Sequence, residues 1–149
     1  MLKKMKKILL LGMLLFSVMS CTTNSKIESE IEKKMSEILK DYGSYEPVET
    51  QITDTIFVGV VAKNQITDPV NLRHPSVTKM AKYRKLENSK EVIAYVVSHK
   101  YRAKNGFGAL NIYTKDFVFD KNFKLFGVSN NSLDNMLFPQ QLFFKEYIN

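Results

Sequence analysis

Residues 91–120 read EVIAYVVSHKYRAKNGFGALNIYTKDFVFD, and this stretch decides the fold. Ile93, Tyr95, Val97, His99 and Tyr101 alternate with Val92, Ala94, Val96, Ser98, Lys100 and Arg102, which predicts a long strand over 91–103. KNGFG (104–108) turns the chain, and Asn105-Gly106 predicts a type I′ hairpin with positive φ at both central residues. The chain returns over 107–120, turns again at DKN (120–122) and ends in a strand over 123–129. Two consecutive hairpins make an antiparallel meander.

Upstream, Ile27, Ile31, Met35, Ile38 and Tyr42 recur at helical spacing and predict an amphipathic helix that Gly43 ends. Ser25 and Glu28 have the spacing of a capping box, and Glu30 and Lys34 that of an i,i+4 pair. ITDTIFVGVVA (52–62) is rich in β-branched residues and predicts the first strand, with only Gly59 against it. KNQITDPVNLRHP then reads as irregular, broken by Pro69 and Pro75. PSVTKMAKYRKLEN (75–88) predicts a helix with a thin apolar stripe of Val77, Met80, Ala81 and Leu86. Past residue 129, a short helix is expected from Leu133, with Leu142, Phe143 and Phe144 docking on the domain.

The order is therefore helix, strand, helical insertion and a three-strand meander. That is an α+β pattern: an N-terminal amphipathic helix packed on a curved antiparallel sheet of about four strands. The layout resembles the cystatin-like and nuclear-transport-factor-like folds. Residues 26–149 are expected to form one domain.

The N-terminus has a different logic. Lys3, Lys4, Lys6 and Lys7 precede an apolar run from Ile8 to Phe16, and small residues lead to Cys21, the sole cysteine. This is the charge–apolar–small order of an export signal, and the run is shorter than the ~20 residues of a spanning helix. Val18, Met19, Ser20 and Cys21 resemble the lipobox of bacterial lipoproteins, with Met19 a mild departure at its position. The resemblance implies cleavage after residue 20, diacylglycerol on the Cys21 sulfur and acylation of the new amino terminus. Residues 21–25 are then the lipidated cysteine and a short tether. It also implies a membrane-anchored protein of the bacterial cell envelope. Thr22 after the cysteine favours the outer membrane where there is one. A thioether at Cys21 agrees with an oxidising compartment, where a lone thiol is a liability.

A second resemblance lies in the mature chain. Leu39, Lys40, Asp41 and Ser44, then Arg102, Lys104, Asn105, Phe107 and Gly108, are similar to a turn and a hairpin of small bacterial envelope lipoproteins; Gly43 departs near a usual proline. It implies a fold rather than an activity.

The net charge of +7 includes the four signal lysines; from residue 21 onward there are 18 Lys/Arg and 15 Asp/Glu, or +3. That balance does not suit nucleic acid. The charge is uneven, because Arg73 to Lys104 holds nine Lys/Arg against Glu87 and Glu91. Lys82, Arg84, Lys85, Lys100, Arg102, Lys104 and Asn105 are the candidate contact residues, with Tyr101 and Phe107 beside the hairpin cations. The partner would be an envelope protein or an anionic polymer. The plainer reading is a solvated face and a sheet end kept soluble.

Catalytic signals are weak. His74 and His99 are 25 residues apart with no second cysteine, so no metal centre and no cofactor are expected. His99 and Tyr101 are the acid–base candidates if a sheet cavity exists; the simpler reading of His99 is a residue packed beside Tyr101. Asp54, Asp116 and Asp120 could cluster, though Asp120 most simply caps a turn. The sequence thus predicts a non-enzymatic binding module. A small hydrolase, or an inhibitor of a secreted hydrolase, stands as the alternative.

Overall fold

The computed structural model describes residues 24–129 and 134–148. The expected signal and its Cys21, Val18, Met19 and Ser20 lie outside them, as does the expected helix start at Leu133. The chain divides into two compact units, residues 1–38 and 39–149.

In the first unit, residues 24–38 form helix α1. Ile27, Ile31 and Met35 are buried, whereas Ile38 is exposed. Ser25 lies within this helical stretch. Lys34 pairs with Glu37 at 2.8 Å rather than with Glu30, and that lysine holds the Glu37 carboxyl below its usual range. The helix stops before Gly43, which sits in a separate 3₁₀ turn, Tyr42–Ser44.

The second unit is α+β. Strands β1 (Glu46–Phe57), β2 (Val92–Lys104), β3 (Leu110–Asp120) and β4 (Leu125–Ser129) form one antiparallel sheet in the order β1-β2-β3-β4. Helices α2 (Val58–Thr67), α3 (Pro69–Arg73) and α4 (Val77–Leu86) fill the connection between β1 and β2. Helix α5 (Asp134–Phe143) and a π-helical turn (Phe144–Ile148) follow the sheet. The meander and the helical insertion match the sequence reading.

The first strand does not. It begins at Glu46 and ends at Phe57, and the β-branched run VGVVA opens a helix. Tertiary contact overrides β-propensity here. The Val58 N–H donates to Glu91 O at 2.8 Å and the Gly59 N–H to Ser89 O at 3.1 Å, which turns the chain out of the sheet. A Cβ on Gly59 would stand 2.6 Å from Ser89 O and 2.8 Å from Glu87 O, so only glycine allows this approach. The supposedly irregular 63–73 is helical; Asp68 caps α3 by accepting from Val70 N at 2.8 Å, and Pro69 takes the first turn, where it lacks no needed donor.

Burial selects residues that the thin stripe of 75–88 missed. Tyr83 is the buried residue of α4, while Val77 and Ala81 are exposed. Tyr83 joins Val58, Val61 and Ala62 of α2, Ile93, Ala94 and Val118 of the sheet, Leu142 and Phe143 of α5, and Ile148 in one core. The expected docking of the apolar tail is therefore seen, with Phe144 packed at the margin of this core. Each of the Val, Leu, Ile and Phe side chains among them contributes about 1.5–3 kcal/mol by leaving water.

The Asn105-Gly106 turn also differs from expectation. Gly106 has no positive φ; Gly108 does, at 82°. The Gly108 N–H donates to Asn105 O at 3.0 Å, and the Asn105 N–H donates to Ala109 O at 2.9 Å. A type I turn followed by a left-handed residue is the alternative hairpin connection. The glycine that matters is the second one.

Candidate binding surfaces

Strand register builds one surface. Lys100, Arg102 and Lys104 face Thr114, Ile112 and Leu110 across the β2–β3 pair. On the other side of β2, Glu49 and Glu46 face Lys100 and Arg102. Directly opposed residues share a sheet face, so this end of the sheet carries three rows: acids on β1, cations on β2, and Ile112 and Leu110 on β3. All three cations are exposed, and Leu110 and Ile112 are half exposed. Phe107 at the tip is 97% exposed, which removes it from any core role. Arg102 reaches Glu46 at 3.7 Å with both side chains about half in water, a pair of little energetic weight. Tyr101, expected beside these cations, is buried on the opposite face. Leu110 and Ile112 were not singled out from sequence, although their alternation with Asn111 and Tyr113 signals one shared face.

The remaining candidates lie elsewhere. Lys82 donates to Ile148 O at 2.8 Å and closes the C-terminus onto α4. Arg84 and Lys85 are exposed in the last turn of α4, whose Tyr83 packs in the core with Ile93. From Ile93 to Lys104 the strand rises roughly 35 Å, at about 3.3 Å per residue, so the α4 cations and the hairpin cations are separate groups. Asn105 is occupied within its turn: its Oδ1 accepts from Phe107 N at 2.9 Å and from Ala109 N at 3.0 Å.

His99 is 2% exposed. Its Nε2 lies 2.7 Å from the Tyr45 hydroxyl and its Nδ1 2.9 Å from Thr50 Oγ1, Thr50 being its partner in the β1–β2 register. Its ring stacks on Tyr101 at 5.7 Å and meets the edge of Phe117 at 6.2 Å. Burial pushes the imidazole below its usual value and the Tyr101 phenol above its own. A hydroxyl both donates and accepts, so either neutral tautomer is satisfied. A general base needs a nitrogen within reach of its substrate; here Nε2 is taken by Tyr45, just before β1, and Nδ1 by Thr50 within it. Tyr45 and Thr50, the residues that fix this role, lie some fifty positions upstream, and no local pattern marks them.

His74 is exposed at the end of α3. Asp54 faces Val96 and Asp116 faces Ser98, on strands that flank β2 from either side. Asp120 does cap a turn, its Oδ1 accepting from Asn122 N and Lys124 N at 2.9 Å each. Among the described residues no group of three or more His, Cys, Asp or Glu is placed to hold a metal ion, and no helix is long and apolar enough to cross a membrane.

Compared with protein-family models, with curated proteins and with solved structures, the chain matches none. Function has to be read from the residues themselves.

Proposed function

We propose that this chain is a lipid-anchored protein of the bacterial cell envelope, held through an acylated Cys21, that works as a non-enzymatic binding module. The anchor reading rests on the order of charge, apolar run and lipobox in residues 1–21. A helix ahead of a four-strand antiparallel sheet is also what a cystatin-like or nuclear-transport-factor-like module would have.

The observation that carries the binding reading is the β2–β3 surface, where Lys100, Arg102 and Lys104 stand beside exposed Phe107, Leu110 and Ile112. The acid row of Glu46 and Glu49 on the same face selects the kind of partner. A uniformly anionic polymer would leave those carboxylates unmatched. A protein that sets acidic groups over β2 and apolar groups over β3 fits all three rows.

Two experiments test this. Palmitate labelling and membrane fractionation of wild type and Cys21→Ser test the anchor; an unlabelled wild-type chain overturns it. Cross-linking in cells, using the full chain, tests the surface. The hairpin variant carries Lys100→Glu, Arg102→Glu and Phe107→Ser; the control carries Arg84→Glu and Lys85→Glu. A discrete partner lost with the hairpin and kept with the control is expected. A partner set that ignores the hairpin change overturns the assignment.

A further inference from the structure

A β-bulge sets up a second site, far from the hairpin surface. Thr50 and Ile52 face His99 and Val97, whereas Asp54 and Ile56 face Val96 and Ala94. Residues 50, 52, 54 and 56 would all share one face of a regular strand. The register shift between Ile52 and Asp54 inserts one residue and sends Asp54 to the other face. There Asp54 lines an open cleft of about 480 Å³ bordered by β1, α2, the start of α3 and α5. That volume lies in the range of small-molecule sites.

Among the described residues the cleft carries one kind of charge. Asp54 and Asp68 are the ionisable ones among them that line it, and no described Lys, Arg or His does. Asp54 Oδ1 accepts from Thr55 N at 2.7 Å, and Asp68 Oδ1 from Val70 N at 2.8 Å. Neither carboxylate has an ion-pair partner among the described residues.

Gln65 adds an oriented donor. It is 5% exposed and lines the same cleft. Asn71 Nδ2 lies 2.9 Å from the Gln65 main-chain oxygen and 3.2 Å from Gln65 Oε1. A main-chain carbonyl only accepts, so the Asn71 atom is the nitrogen, and the Gln65 atom facing it is the oxygen. Among the described residues the Gln65 amide nitrogen is the group without a partner. It is not sealed in the core either: among the described residues, the buried partnerless side-chain atom is the Tyr147 hydroxyl. Gln65 lines the cleft, which places its side chain within reach of a molecule bound there.

We propose that this cleft binds a small aliphatic amine that carries an oxygen acceptor, such as an amino alcohol. The ammonium group meets the Asp54 and Asp68 carboxylates, which accept its N–H bonds. The oxygen takes the Gln65 amide donors. The carbon body lies on Ile56, Val61 and Pro139. Among the described residues no aromatic ring lines the cleft, so they offer no stacking platform for a sugar or base and no cage for a quaternary ammonium. The site is independent of the hairpin surface and of the anchor.

The test is a titration of the isotope-labelled full chain in neutral detergent, followed by NMR of the Gln65 side-chain amide and of residues 64–68. The probes are 5-aminopentan-1-ol, the neutral 1,5-pentanediol and the anionic 5-hydroxypentanoate. The amine alone is expected to give saturable shifts. Asp54→Asn with Asp68→Asn keeps both side-chain shapes and the α3 cap, and is expected to weaken binding by about tenfold or more. No saturation by the amine, equal shifts with the diol or the acid, or unchanged affinity in the double variant each overturns the proposal.

Discussion

Phe123 stands in one hairpin turn where Gly108 stands in the other. Asn105 and Asp120 open the two turns, and each side-chain Oδ1 accepts the N–H groups two and four residues on. The Gly108 N–H bonds back to Asn105 O and the Phe123 N–H to Asp120 O, both at 3.0 Å. Both residues have positive φ, 82° and 58°. Glycine adopts this conformation freely, whereas Phe123 is strained by roughly 1–2 kcal/mol. The Tyr95 ring, stacked on Phe123 at 4.7 Å and 11°, offsets part of that strain.

The pair makes an inverted ranking. Gly108→Ala is expected to lose about 1–2 kcal/mol. At position 123, alanine removes the stack and keeps the strain, whereas glycine removes both. Phe123→Gly should therefore be more stable than Phe123→Ala, the reverse of the usual order. Urea unfolding of the three variants checks this; alanine ranking above glycine at 123 refutes the strain.

Gly59 gives a sharper case, because its neighbours are backbone. Gly59→Ala forces a methyl against Ser89 O and Glu87 O, and neither can rotate away. The loss is expected to reach about 2–4 kcal/mol, in the class of overpacked cores. Lys63→Ala, at an exposed position on the same helix, should stay within about 0.5 kcal/mol. Thermal melts of the two variants compare directly.

These positions also show what the sequence could reveal. Alternation over 92–104 and 110–120 exposes the meander, because period two survives wherever one face is buried. The Asx residues at 105 and 120 mark the turns. VGVVA carries strand propensity and no sign of the approach of residues 87–91 that makes it helical. The hairpin cations were legible because they follow one another on a strand. The cleft was not, since Asp54, Gln65, Asp68 and Pro139 meet only through a bulge and three helices.

His99 predicts a pH dependence of stability. Burial lowers its folded pKa below the ordinary 6.5, so the unfolded chain takes up the proton first as pH falls. Its contribution is fully present above about pH 6.5 and is lost as pH drops toward the folded value. Between about pH 7 and pH 5.5, above the main carboxylate range, wild type should lose stability with falling pH, by at most one proton's slope. His99→Gln, destabilised by about 1–3 kcal/mol at neutral pH, should lack that slope. Denaturant midpoints across this window give the answer; parallel curves for the two proteins refute it.

Lys121 ties the second turn to the C-terminus. Its Nζ lies 3.1 Å from Glu91 and 3.0 Å from Glu146, and 5.8 Å from the Tyr147 ring centre. The two carboxylates raise the lysine's pKa. Because these side chains are about a third to a half exposed, each pair is expected to contribute no more than about 1 kcal/mol. A double-mutant cycle of Lys121→Met and Glu146→Gln should give a coupling of that size, shrinking with added salt. A coupling that salt leaves unchanged would mean that packing, not charge, joins them.

Tyr147 completes this network with an opposite consequence. Its hydroxyl is buried without a completed hydrogen bond, yet it lies near enough to Glu91 to hold that carboxyl below its usual range. Burial first, and then Glu91, push the phenol up to about 12. An unfolded tyrosine ionises near 10, so the folded chain keeps its proton longer, and this contribution is lost as pH rises from about 10 toward 12. At neutral pH the hydroxyl has been desolvated with little return. Removing it should therefore cost little, unlike the ~1 kcal/mol lost with a satisfied hydroxyl. Tyr147→Phe is expected to stay within about 0.5 kcal/mol of wild type at neutral pH and to lose the alkaline slope. Urea unfolding at neutral pH and a stability series through the alkaline range separate the two effects. A loss well above 1 kcal/mol at neutral pH would mean that the Tyr147–Glu91 contact is a formed hydrogen bond.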